Sequence, residues 1–206
     1  MSAGIETELW RSYYDKDRIG LVIGLYRFNR EVYGFSPSSA ARMAWHAGRA
    51  AAAFQPSKNR AEAQRAIPSL IAYFEVIQRS ASLRFNAATS AQIELEWWQL
   101  RREGHHWREY APVVADVTSR IYGVDAKVVL PFALVRCEMM AMRDAKGRQS
   151  LSAADWSEIE SGLAKAWTTL YRSLNQRGPI NPRSGQVETL APQPHFSQNS
   201  TRDTAD

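Results

Sequence analysis

The residues best suited to chemistry are concentrated in the segment 94–110. It carries Glu94, Glu96, Trp97, Trp98, Arg101, Arg102, Glu103, His105, His106, Trp107, Glu109 and Tyr110. Glu103 and His106 have the Glu-x-x-His spacing that puts two metal ligands on one helical face in carboxylate-bridged di-metal bundles. Such a site needs a second copy of the motif and two further carboxylates. Neither of the other histidines outside this segment supplies one: the residue three before His46 is Met43, and three before His195 is Pro192. Gly104 also interrupts the helix between the two ligands. A metal or haem site built from His46, Glu103, His105 and His106, with Glu75 as a further candidate, is therefore the weaker expectation, and no cofactor is expected under the leading one.

Trp97 and Trp98 are adjacent, so on a helix they point about 100° apart. One can fill a core while the other covers a neighbouring helix or a partner. Arg101 and Arg102 follow at spacings that allow stacking on the rings or pairing with Glu94, Glu96 and Glu103. Aromatic residues and Arg are favoured at interface hot spots. Trp97, Trp98, Arg101, Arg102 and Trp107 are accordingly the partner-binding candidates.

A second constellation is basic. Residues 1–60 hold nine Lys or Arg and five Asp or Glu, which leaves four of the chain's five net positive charges in its first quarter or so. Arg27 and Arg30 follow an apolar run, and Arg42 and Arg49, seven apart, share a helical face. If the two helices form a hairpin, these four Arg side chains are candidates to converge on an anion. A helix-turn-helix spanning 37–66 is weakened by Pro56 and Pro68, which leave only a short second helix, so nucleic acid is not the expected partner.

The single cysteine, Cys137, has no sequence-adjacent His to activate it and no second Cys to pair with. The phosphate loops, nucleophile elbows, dinucleotide fingerprints and calcium loops that carry sequence-local chemistry are absent. No catalytic residue is assigned on these grounds.

These residues need helices to position them, and the helix signals are strong. Hydrophobic residues make up 45% of the 206 and charged residues 23%, both near the globular average. The first helix is expected from about Ile5 to Tyr33, with a break allowed near Asp15–Asp17. Its second half (Ile19, Leu21, Val22, Ile23, Leu25, Tyr26, Phe28) is apolar nearly all round and predicts a central, buried helix. Gly20 and Gly24 would let a neighbour approach closely. Ser36 and Pro37 read as N-cap and first residue of the next helix, which runs to Phe54 with Ala40, Ala44, Ala47, Ala51 and Phe54 on one side. Ser57 is read as the cap of a short helix to Ala66. A helix after Pro68 carries Leu70, Phe74 and Ile77, and another starts at Thr89 or Ser90.

Further on, a helix resumes near Pro112 and stops at Gly123, and Asp125 caps one with Val128, Phe132, Val135, Met139 and Met142 on one face. The last helix has the best signature. Ser152 and Asp155 form a capping box, Leu151 and Trp156 occupy the staple positions, and an apolar stripe runs through Ile159, Leu163, Ala166 and Leu170. Residues 176–206, rich in Pro, Ser, Thr, Asn and Gln, are expected to be a disordered tail.

The expectation is an all-α protein: one bundle of about six helices over residues 1–175, then the tail. The start of the chain lacks a signal-peptide pattern and the longest apolar run falls short of a membrane span, which predicts a cytoplasmic protein with no membrane association. The leading functional reading is a non-catalytic accessory or adaptor protein that binds another protein, or a second copy of itself. A metal- or haem-dependent helical enzyme or carrier, and a polyanion binder, are the alternatives.

Overall fold

The computed structural model describes residues 2–146 and 151–175. The expected tail, 176–206, lies outside them. The described residues are all-α, with no strand. The elements are α1 (Ser2–Tyr14), α2 (Arg18–Arg27), a π-helical turn (Phe28–Val32), α3 (Pro37–Phe54), α4 (Arg60–Ala63) running into a 3₁₀ turn (Gln64–Ala66), α5 (Ile67–Ser80), α6 (Ala87–Arg102), α7 (Trp107–Tyr122), α8 (Ala126–Ala145) and α9 (Ala153–Asn175).

There are more helices than the six expected, because several punctuation signals act as full stops. Asp17 breaks the first helix: its carboxylate accepts from the Gly20 backbone N–H at 2.9 Å and caps α2. Asn86, three residues before Thr89, caps α6. Asn59, not Ser57, caps α4, which has only four residues, so the span 37–66 holds no second helix of helix-turn-helix length. The segment around Gly104 is a complete break. His106 is the N-cap of α7 and forms a capping box with Glu109, so α7 starts at Trp107 and carries Pro112 within its first turns. Gly123 ends α7 in the left-handed conformation at φ 63°, and Asp125 caps α8. Ser152 and Asp155 exchange the expected box contacts, Asp155 N–H to Ser152 Oγ at 3.2 Å and Ser152 N–H to Asp155 Oδ2 at 2.9 Å.

The main packing pairs make a closed circuit. α1 packs on α2, α2 on α3, α3 on α5, and α5 on α6. Then α6 packs on α7, α7 on α8, α8 on α9, and α9 returns to α1. Eight helices thus form a ring, with α4 set to one side against α3 and α6. The apolar interior falls into two clusters. One joins α1, the π turn, α7, α8 and α9 through residues such as Ile5, Trp10, Val114, Phe132, Leu163 and Trp167. The other joins α3, α5 and α6 through Met43, Phe54, Leu70, Phe74, Ile77 and Leu95.

A ring gives each helix an inner and an outer face, and this corrects the reading of the apolar run at 19–28. No residue of α2 is fully buried. Its inner face, with Leu21 and Leu25, lines a central cavity. Its outer face carries Ile19, Val22 and Ile23, which are among the most exposed large apolar residues described. Gly24 does allow close approach: a Cβ there would meet Leu9 Cδ1 of α1 at 3.1 Å. The buried face of α8 is also rotated from expectation, to Val129, Ala133, Cys137 and Met140 together with Phe132.

No helix among the described residues is long and apolar enough to cross a membrane.

Candidate functional site

The two clusters do not fill the ring. Between them lies a cavity of about 260 Å³, to which all eight ring helices and the π turn contribute. Trp10, Tyr33, Phe54, Tyr73, Phe74, Trp97, Trp98 and Trp167 make its wall largely aromatic. Ala47 and Ala51, on the small-residue face of α3, leave room that larger side chains would fill. For scale, an engineered apolar cavity of about 150 Å³ takes up benzene.

Four charged side chains from three helices reach this wall: Glu6 (α1), Glu94 and Arg101 (α6), and Arg136 (α8). Three of them have charged partners. Arg136 Nε donates to Glu6 Oε1 at 2.6 Å, and the Trp167 indole N–H donates to Glu6 Oε2 at 2.8 Å. Glu6 is fully buried, and Arg136 retains 20% exposure. Burial works against the Arg136 charge, but the charge and hydrogen bond of Glu6 outweigh it and hold the guanidinium protonated. Arg101 makes a two-point contact with Asp144 of α8, Nε to Oδ2 at 2.7 Å and Nη2 to Oδ1 at 2.8 Å, and also donates to the Tyr14 hydroxyl. Tyr14 lies beneath the Arg143 guanidinium, 3.8 Å from the ring centroid. Burial pushes its phenol up to about 12, with the Arg101 charge acting in the opposite direction.

Glu94 is different. Among the described residues it has no ion pair. Its Oε1 accepts from the Trp98 indole N–H at 2.8 Å, and the Trp97 indole also bonds it. Burial raises the Glu94 carboxyl above the ordinary carboxylate range; the two indole hydrogen bonds and the Arg136 charge pull the other way and do not cancel it. The sign for stability follows from linkage. A carboxyl whose folded pKa lies above its unfolded value stabilises fully below the unfolded value. That contribution is lost as pH rises through the folded value. Glu94→Gln is therefore expected to unfold at a higher temperature than the wild type at neutral pH. The difference should shrink as pH falls towards the ordinary glutamate value of about 4.3. Thermal scans of both proteins across that range check this, and a difference that does not change with pH would contradict it.

A second polar group on the wall is left over. Asn29, buried in the π turn, donates its side-chain amide to the Leu25 carbonyl at 2.8 Å, while its Oδ1 has no partner. The π turn inserts an extra residue into the helical path and points Phe28 and Asn29 at the cavity.

The predicted site residues are distributed unevenly around this centre. Trp97, Trp98 and Arg101 line the cavity, so they face inward. Arg102 donates to the carbonyls of Ser57 and Phe54 at 2.7 and 2.9 Å and lies over the Phe54 ring, closing the chain after α3. Trp107 is half-buried and stacks on His106. Expected pairings within 94–103 give way to a longer-range one: Arg60 of α4 bridges Glu96 and Glu103 at 3.0 and 2.7 Å. Arg27 is paired with Glu8 and Glu31, and Arg30 donates to the Phe35 carbonyl. Arg42 and Arg49 are exposed on the outer face of α3, where Arg49 lies near the Trp45 ring. These four cations do not meet at one point.

The metal alternative is not assembled either. Glu103 is held by Arg60, His105 contacts Glu109 at 2.9 Å, and His106 is spent as an N-cap. His46 sits apart on α3, where burial and then Arg49 and Arg42 lower its pKa. Among the described residues no three His, Cys, Asp or Glu gather as metal ligands. Cys137 is fully buried, and burial raises its thiol to about 12, which keeps it protonated and unreactive in the folded protein.

Sequence reasoning missed Glu6, Asn29, Arg136 and Trp167. Each is unremarkable in its own stretch of chain, and their partners lie up to 161 positions away. The only local hint is Glu94 placed three and four residues before two Trp.

No family model, curated protein or solved structure matches the chain.

Proposed function

We propose that the chain is a small-molecule-binding helical protein whose ligand occupies the central cavity. The observation that carries the reading is the cavity itself. A large void lined by aromatic rings, with a few polar groups converging from separate helices, is the usual form of a ligand site. Close packing is the norm for protein interiors, and a space of this size departs from it.

The test is a thermal-shift and calorimetric titration with neutral aromatic compounds such as indole and naphthalene. Saturable binding and a raised Tm are expected for the wild type. At a free concentration of 100 Kd, the gain is about 2.7 kcal/mol. Ala51→Leu, which places a branched side chain into the void, should lose the binding while remaining folded. If no such compound shifts the wild type, or Ala51→Leu binds as well as the wild type, the cavity is not the site.

A second reading, the accessory or adaptor role, is favoured by a different observation. Ile19, Ile23 and Trp45 are 76%, 55% and 59% exposed, and Val22 links the two helices by packing beside Gly48. Contiguous exposed apolar residues of this kind are commonly interaction surfaces. In this reading α2 and α3 present their outer faces to another protein or to a second copy of the chain, while segment 94–110 serves the cavity. Light scattering of the wild type and of Ile23→Glu tests the self-association arm: a dimer that becomes a monomer on substitution would support it.

A further inference from the structure

Pairing off the charges at the cavity wall leaves a remainder. Glu6 is matched by Arg136 and supported by Trp167. Arg101 is matched by Asp144, which stands outside the wall. Among the described residues Glu94 has no ion pair, and Asn29 Oδ1 has no donor. Both leftovers are hydrogen-bond acceptors and their residues, on α6 and in the π turn, line the same void, Glu94 being the one that keeps exposed surface while Asn29 is fully buried in the wall. The orientation of the Asn29 amide follows from its own contact, since the nitrogen must be the atom that donates to the Leu25 carbonyl. The walls add a third feature of the same sign. Trp97, Trp98 and Tyr73 line the same void as Glu94, and aromatic ring faces attract cations.

We infer that the cavity is built for a protonated amine carried on an apolar, aromatic-sized body, with the Glu94 carboxylate as its counter-ion. This inference rests on the small-molecule reading above and narrows it to a ligand class. A buried carboxylate without a cation is costly. The indole N–H groups of Trp98 and Trp97 reduce that cost and hold the carboxylate in place, and an ammonium would supply the missing charge. Burial raises the Glu94 carboxyl and an ammonium beside it would draw it down again, so binding is expected to release a proton to the buffer at pH values where the carboxyl of the free protein is still partly protonated. Arg136 and Arg101 are the wall cations that could favour an anionic ligand instead, but Arg136 is paired with Glu6 at 2.6 Å and Arg101 with Asp144 at 2.7 Å.

The experiment compares four compounds that share one ring system: tryptamine, tryptophol, indoleacetate and indole. Calorimetry measures each against the wild type and against Glu94→Gln. Tryptamine should bind the wild type at least about tenfold more tightly than tryptophol, the scale expected of a charge-assisted hydrogen bond. Its heat should vary with the ionisation enthalpy of the buffer, as proton release requires. Glu94→Gln should remove the tryptamine advantage and leave tryptophol within about threefold of its wild-type affinity, so that tryptophol itself reports an intact cavity.

Equal or tighter binding of tryptophol, or tightest binding of indoleacetate, would overturn the amine inference and leave the small-molecule reading standing. A tryptamine preference that survives Glu94→Gln would overturn the role given to Glu94. If none of the four binds the wild type, both readings fail together. Should Glu94→Gln not fold, the wild-type ranking and the buffer dependence still decide the ligand class.

Discussion

Arg136→Ala is expected to destabilise the protein by about 3–5 kcal/mol, the cost of stranding a buried charge. Glu6 is fully enclosed, and its two oxygens are held by the Arg136 guanidinium and the Trp167 indole. Removing the guanidinium leaves a carboxylate with one neutral donor and no route to water other than the cavity. These three residues stand on α8, α1 and α9, where the first and last helices meet to close the ring. The loss therefore falls on closure, and not only on a local contact. In a domain of this size it should appear as a drop in Tm of roughly 6–20 °C.

The companion variant separates the value of the pair from the penalty of breaking it. Replacing Glu6 by Gln and Arg136 by Met together removes both charges and is expected to cost far less than Arg136→Ala alone, since paired burial of charges is often no better than a neutral replacement. Urea unfolding of the two variants settles the matter. A loss below about 1 kcal/mol for Arg136→Ala, the level of an exposed pair, would mean that Glu6 reaches solvent once the guanidinium is gone.

Phe74→Ala is expected to cost a similar amount, about 3–5 kcal/mol, for a different reason. Phe74 is fully buried in the α3–α5–α6 cluster, meets Tyr73 and Phe85 edge to face, and also forms part of the cavity wall. Truncation loses the transfer energy of the ring and joins its volume to an existing void, so collapse of the surroundings cannot recover much of it. The enlarged cavity gives the prediction a second readout. An apolar compound such as benzene should raise the Tm of Phe74→Ala more than that of the wild type, because it refills the space the substitution opened. A small loss of stability, or no added response to benzene, would show that the wall can close inward and that the cavity is not held open by the packing around it.

Much of the helical architecture was legible residue by residue. Asp125 before α8, Gly123 after α7, Ser36-Pro37 before α3 and the Ser152–Asp155 box before α9 each act within a few positions, and each is found in place. The error at Ser57 arises because Asn59, two positions on, is an equally good cap and propensity alone does not rank the two. The helix expected from Thr89 or Ser90 begins earlier, at Ala87, because Asn86 caps it. His106 was weighed as a ligand because its distance from Glu103 fits a helical face. The helix had already ended at Arg102, with Gly104 in the left-handed region at φ 82°, so the spacing carried no geometric meaning.

The apolar run at 19–28 marks the boundary between the two kinds of information. Its composition is the same whether the helix is enclosed by protein on every side or stands in a ring with a cavity within and a partner or solvent without. Only closure of the ring distinguishes these cases, by turning Leu21 and Leu25 inward and Ile19 and Ile23 outward. The same holds for segment 94–110. Its residue types marked it out, but the roles of Trp97, Trp98 and Arg101 depend on what the other helices bring to meet them.

By itself, then, the amino-acid sequence determined that the chain is helical and where most of its helices stop, because caps and periodicity act over three or four residues. The tertiary structure alone decided that Glu6, Asn29, Glu94 and Arg136 share one cavity. Pairings across so many positions are set by which helix faces meet, and that is a property of the closed ring as a whole.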